Sequence, residues 1–207
     1  MALLHAASIS PTKLELVRAW APTQPWFDGD DQDLEILGAY RFDDPDGEVG
    51  IETFLVRSGG GPLLQIPVTY RGAPLASADE WLITTMVHTH LGDRWVYDAC
   101  GDPVYAAALA TTILGGGTEV SVERRLADGT REHVEPTVRV VGSGSSKEVG
   151  SVGLVDVRDQ DAATLVVTSV AEIEVLRVVG GSWAMGGETL TGTWPGQEEP
   201  LLLAVAH

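Results

Sequence analysis

Arg94-Trp-Val-Tyr-Asp-Ala-Cys-Gly-Asp-Pro-Val-Tyr105, continued by Ala106-Ala-Ala-Leu-Ala-Thr-Thr-Ile-Leu114, writes a strand, a break and a capped helix into consecutive residues. Trp95 and Tyr97 alternate with Arg94, Val96 and Asp98, a period of two in strand-favouring side chains. Cys100-Gly101 interrupts that strand. Asp102 stands where an N-cap belongs, able to accept from the free amides of a first helical turn. Pro103 follows at the first helical position, where a missing N–H costs nothing. Gly115-Gly-Gly117 then offers a C′ residue suited to positive φ. Turn and cap chemistry accounts for Asp98 and Asp102 without a catalytic role. Any fold of this chain must feed a strand into an Ala-rich helix through one short turn.

Strands dominate the rest. Ser10 to Trp20 reads as a first helix with Ser10 as N-cap and Pro11 at the first helical position, closed by Pro22 and Pro25. Trp26 is placed to fold back on the body. Ala2 to Ser8 is short and apolar enough for a strand. Leu34 to Phe42 and Val49 to Arg57 flank Asp43-Asp-Pro-Asp-Gly47, which makes them a hairpin. Leu64, Ile66, Val68 and Tyr70 share one face of Leu63 to Arg71, a half-buried strand in which Pro67 points to an edge or a bulge. Ala78 to Leu91 is ambiguous between helix and strand, and its Thr and Val content favours a strand paired through Gly92 with Arg94 to Asp98.

Glu119 to Leu126 and His133 to Val141 flank Ala127-Asp-Gly-Thr130, a hairpin signal. Gly142-Ser-Gly-Ser-Ser-Lys-Glu-Val-Gly150 has the composition of a linker. Ser151 to Val157, Ala163 to Val170, Glu172 to Val179 and Leu201 to Val205 follow as strands. The expected class is α+β: a strand-rich, curved antiparallel sheet flanked by two or three α-helices. Residues 1–141 form the main domain, 142–150 the linker, and 151–207 either a second β unit or more strands of the same sheet.

The formal charge of −17 opposes binding to nucleic acid or to an anionic membrane. No apolar run reaches the length of a membrane span, and Met1-Ala-Leu-Leu-His5 lacks a signal peptide's basic start and apolar core. One cysteine, Cys100, excludes an internal disulfide and fits a cytoplasmic setting. Nine acids against Arg41 alone lie between Asp28 and Glu48. A calcium loop begun at Asp28 needs glycine sixth and a carboxylate twelfth, but has Asp33 and Ala39; one begun at Asp44 has Val49 and Leu55. A solvated acidic loop is the better reading.

Several spaced motifs carry a resemblance. Pro11-Thr-Lys-Leu, Trp20-Ala-Pro-Thr-Gln-Pro-Trp26, Leu37-Gly-Ala-Tyr-Arg41, Val68-Thr-Tyr-Arg-Gly-Ala-Pro-Leu75, Met86-Val-His-Thr-His-Leu-Gly92 and Arg94 to Leu114 resemble the N-terminal cap domain of the maltokinases, actinobacterial enzymes that phosphorylate maltose with ATP. The likeness spans about residues 1–140. It implies a cap-like module without the kinase body: a kinase needs an Asp base and an Asn and second Asp for magnesium, and this chain has no His-Arg-Asp, no Asp-Phe-Gly and no asparagine. The expectation is a non-catalytic accessory module without catalytic residues or cofactor. Its partner would be a kinase or another enzyme of maltose, trehalose or α-glucan metabolism.

The alternative is a small-ligand or saccharide-binding domain. Of six tryptophans, Trp183 and Trp194 flank Gly-rich segments and are expected to be exposed, so an aromatic groove would use them. His88 and His90, two apart, would share a strand face and line a ligand, but two imidazoles make no complete metal site. Gly142-Ser-Gly-Ser-Ser-Lys147 could cradle a phosphate, but it lacks P-loop spacing and a following helix. It also misses the Gly-x-Ser-x-Gly elbow of a hydrolase by one residue.

Overall fold

A computed structural model describes residues 2–5, 8–125, 130–181, 183 and 186–207, with only the backbone described at 2–5, 124 and 125. Along the chain run β1 (Ala2–His5), β2 (Ile9–Ser10), α1 (Lys13–Trp20), β3 (Leu34–Phe42), β4 (Gly50–Ser58), β5 (Leu63–Arg71), β6 (Leu82–His88), β7 (Gly92–Asp98) and α2 (Pro103–Gly115). Then come β8 (Val122–Arg125), β9 (Arg131–Val134), β10 (Arg139–Gly142), β11 (Leu154–Asp159), β12 (Ala163–Thr168), β13 (Glu172–Leu176), β14 (Val178–Val179), β15 (Glu188–Trp194) and β16 (Gln197–Ala206). Strand-rich α+β is the class, with two α-helices among the described residues.

The first large sheet has the order β2-β6-β7-β5-β4-β3, with β14 also paired to β5, and it curls as an antiparallel half-barrel. The second has the order β10-β15-β16-β13-β12-β11, also antiparallel. A small third sheet sets β1 parallel to β8, which pairs antiparallel with β9. That β8–β9 pair is the expected hairpin, although residues 126–129 of its turn lie outside the described residues.

Alternation along β4 explains how the half-barrel is buried. Ile51 and Leu55 face α2, whereas Phe54 and Val56 face α1. On the α2 side, Tyr105, Leu109 and Ile113 pack between that sheet and Val166, Ile173, Leu190 and Leu203 of the second sheet. On the other side, Leu16 and Val17 of α1 close over Leu64, Ile66, Val68, Met86 and Val96. Each such aliphatic side chain contributes ~1.5–3 kcal/mol by leaving water.

Strand β5 is therefore buried on both faces, not one: Gln65 and Thr69 are as enclosed as Leu64 and Ile66. Pro67 is nonetheless inside this central strand. The Gln65 N–H donates to the Arg177 carbonyl at 2.9 Å, so by alternation the Pro67 nitrogen faces the same side. There it falls in the gap between β14, paired at Leu63 and Leu64, and β7, paired from Val68 onwards. No ladder bond is lost.

Helix α1 starts two residues later than expected. Thr12, not Ser10, is the N-cap: its hydroxyl accepts from the Glu15 N–H, and Glu15 accepts from the Thr12 N–H at 2.8 Å. This reciprocal capping box satisfies two free donors, which Ser10 could not do because the residue three further on is Lys13, a side chain without an acceptor. Helix α2 follows the expectation, with Asp102 accepting from the Val104 N–H, Pro103 first, and Gly116 closing it at φ 69°.

The segment read as a linker begins in β10 and runs against the C-terminal end of α2. Gly144 N–H donates to the Ile113 carbonyl and Ser146 N–H to that of Leu114, each at 2.9 Å. A Cβ at Gly144 would stand 2.2 Å from the Leu114 oxygen, so the close approach requires glycine. These amides are spent on helix carbonyls, the negative end of the dipole, and that is the wrong end for a phosphate.

Candidate functional site

Two polar systems occupy the α2 side of the half-barrel. Asp98, at the end of β7, accepts from the Cys100 N–H and from Arg177 Nη2 at 2.6 Å. Arg177 is wholly buried; its Nε donates to Thr164 Oγ1 at 2.8 Å. Beside it, Gln65 Nε2 donates to the Leu176 and Leu203 carbonyls and its Oε1 accepts from the Tyr40 hydroxyl. Burial works against the Arg177 charge, but Asp98 outweighs it and holds the guanidinium protonated. Burial also pushes the Cys100 thiol up, which leaves it inert as a nucleophile.

Asp102 does more than cap α2. Its carboxylate accepts from the Thr69 hydroxyl and, in a two-point fork, from Arg71 Nε at 2.7 Å and Nη2 at 2.6 Å. On the opposite face, Glu52 accepts from Lys13 at 2.8 Å and from the Tyr70 hydroxyl at 3.0 Å, with Arg41 at 2.9 Å. Burial opposes ionisation of Glu52, yet Arg41 and Lys13 hold it below the ordinary glutamate range. These carboxylates are committed to folding partners. None stands beside an activated nucleophile.

The rim of the half-barrel is different. Leu82, Val87 and Leu91 are exposed by 36, 55 and 45%, and all three lie on β6 or its turn into β7. Half-buried Trp95 pairs with Thr85, and Val87 pairs with Asp93. Between α1 and β6 runs an open groove of about 280 Å³, lined by Pro11, Leu16, Ala19, Trp20, Ile83 and Thr84. A bulge between Leu82 and Thr84 breaks the alternation and lets consecutive residues Ile83 and Thr84 line it. The groove's Glu15 is held by Thr12, and the Thr23 hydroxyl donates to the Trp20 carbonyl at 2.7 Å.

The residues nominated from the sequence are dispersed. Strand β6 ends at His88, so His90 lies in the turn and the two rings do not share a strand face. His88 Nδ1 accepts from the N–H groups of His90 and Leu91 at 3.2 and 3.0 Å, a turn-fixing role. Among the described residues no group of three or more His, Cys, Asp and Glu side chains converges.

Trp183 is half-buried against Gly181. Trp194, expected on the surface, is buried with 9% exposure and packs in the core. The reason is that Glu188–Trp194 forms β15, a strand absent from the sequence reading. In the acidic region Asp44 accepts from the N–H groups of Asp46, Glu48 and Val49, and Asp30 from that of Gln32.

Residues 20–102 match the maltokinase N-terminal cap domain. The matched stretch runs from the end of α1 through β3–β7 to the N-cap of α2. It is narrower than the 1–140 suggested by the sequence motifs, and the second sheet lies outside it. No curated protein matches the chain. Among the described residues no helix is long and apolar enough to cross a membrane.

Proposed function

We propose that this chain is a non-catalytic accessory module that docks onto an enzyme of maltose, trehalose or α-glucan metabolism through the β6–β7 rim. One observation carries the reading: Leu82, Val87 and Leu91, three exposed large apolar side chains, lie on one hairpin inside the stretch that matches the cap domain. Exposed Asp79 and Glu80 precede Leu82, and exposed Asp93 stands across the ladder from Val87, so acids border the apolar side chains. A saccharide reading has less support. Sugars need several convergent polar groups, whereas the groove's Glu15 and Thr23 are already engaged and Trp194 is withdrawn into the core.

The test is affinity capture from native cytosol with wild-type protein and with the Val87→Asp/Leu91→Asp variant, read by mass spectrometry. A metabolic enzyme retained by the wild type and lost by the variant is the expected result. Equal capture by both proteins, together with a rise in Tm on adding maltose or maltooligosaccharides, would replace this reading with the saccharide one.

A further inference from the structure

We propose that the edge of β6 and the groove beside it receive an extended peptide of the partner, added as a strand that continues the line of β2; this rests on the partner-binding reading above. Strand β2 pairs with β6 only at Ile9↔His88 and Ser10↔Val87. The Thr89 N–H donates to the Ser8 carbonyl at 3.1 Å, so residues 87 and 89 direct their main-chain groups away from β7. By the same alternation Thr85 does so too. Its natural partner position is vacated because the chain turns at Pro11 into the capping box of α1. By that alternation the Thr85 N–H points to the vacated position, and its carbonyl accepts from the Thr84 hydroxyl at 3.2 Å.

An open edge alone is common, but here it borders the groove. A strand laid along Thr85 would direct alternate side chains towards Trp20, Ala19, Leu16 and Ile83, the pattern by which strand addition combines main-chain bonding with side-chain selection. Charge then selects the occupant. Nearby cations are engaged: Lys13 on Glu52, and Arg18 on the Gln32 and Leu34 carbonyls. The Arg94 guanidinium lies against Gly72 beyond the end of β5, where an added Cβ would stand 2.6 Å from its Nη1. Glu15 keeps its negative charge while it accepts from Thr12, and exposed Asp79 and Glu80 precede β6, in a chain whose formal charge is −17. The peptide that fits is apolar at alternate positions and carries Lys or Arg between them. A second copy of this chain would meet its own negative field.

A random twelve-residue peptide library displayed on phage, panned on the whole protein, tests this directly. Recovered peptides are expected to show alternating apolar and basic positions. Thr85→Pro removes the edge N–H where no ladder bond depends on it, and Ala19→Arg fills the groove from an exposed position. Each should weaken the recovered peptides at least tenfold, with Tm within a few degrees of wild type for Ala19→Arg. No enrichment, or equal binding to both variants, overturns the strand-addition site. If the enzyme captured by the wild type survives Thr85→Pro and Ala19→Arg but is lost with Val87→Asp/Leu91→Asp, strand addition is wrong and partner docking stands.

Discussion

The two faces of the β5–β7 region handle polar chemistry in opposite ways. On the inner side Asp98, Arg177, Gln65 and Asp102 are buried, paired and tied to the second sheet or to α2. At the β6 rim, one strand away, the Thr85 main chain points away from β7 and apolar side chains face water. Interior charges here fix how two sheets meet, and the docking surface proposed above lies instead at the rim, where apolar side chains meet water.

The comparison is broken most forcefully at Arg177. Arg177→Met leaves Asp98 buried without its cation, and the expected loss is about 3–5 kcal/mol of unfolding free energy in urea titrations. Adding Asp98→Asn should recover a good part of that, because the unpaired charge, rather than the absent pair, is the main penalty. A single variant close to wild type would mean that the seam is ornamental. Gly144→Ala comes next. Its methyl group has no room beside the Leu114 carbonyl, and about 1–3 kcal/mol should be lost. A tether with no structural role would lose nothing, so denaturation of this variant separates a tether from a helix clasp.

Glu52 gives a smaller effect with a defined sign. Its folded-state pKa is depressed, so below about pH 4.3 the unfolded chain binds the proton first. Its contribution is fully present above that value and is lost as pH falls through the depressed one. Urea midpoints of wild type and Glu52→Gln between pH 3 and 6 should therefore converge as the pH drops. Parallel curves would show that Arg41 and Lys13 do not favour the ionised form.

Local rules made much of this fold readable from sequence. Asp102-Pro103 marked the start of α2, the hairpin pairs β3–β4 and β6–β7 followed from their turns, and Trp26 does fold back, edge-on to Trp20 at 5.7 Å. What failed was long-range. Arg177 and Asp98 are 79 residues apart, and no local pattern announces their pairing. Strand β15 has no strong local signal, because Thr-Leu-Thr-Gly-Thr alternates without strong hydrophobicity, and Trp194 at its end is therefore expected at the surface although it is buried. The candidate site was half legible: the sequence pointed to the β6–β7 turn through His88 and His90, which fix that turn. Trp20 and the β6 edge required knowing where β2 stops.

The smallest stability effect is expected where the functional effect is largest. Val87 and Leu91 are about half exposed, so Val87→Asp/Leu91→Asp removes little buried area and should shift unfolding free energy by roughly 0.5 kcal/mol or less per site. The same change places two carboxylates at the centre of the proposed interface, where a partner selected for basic residues would still face the desolvation of both. Capture of the partner should therefore fall sharply at unchanged Tm. If stability and capture fell together, the rim would belong to the folding core, and the contrast with the Arg177 seam would collapse. If neither fell, the apolar side chains would be ordinary surface and the interface would have to lie elsewhere on the half-barrel.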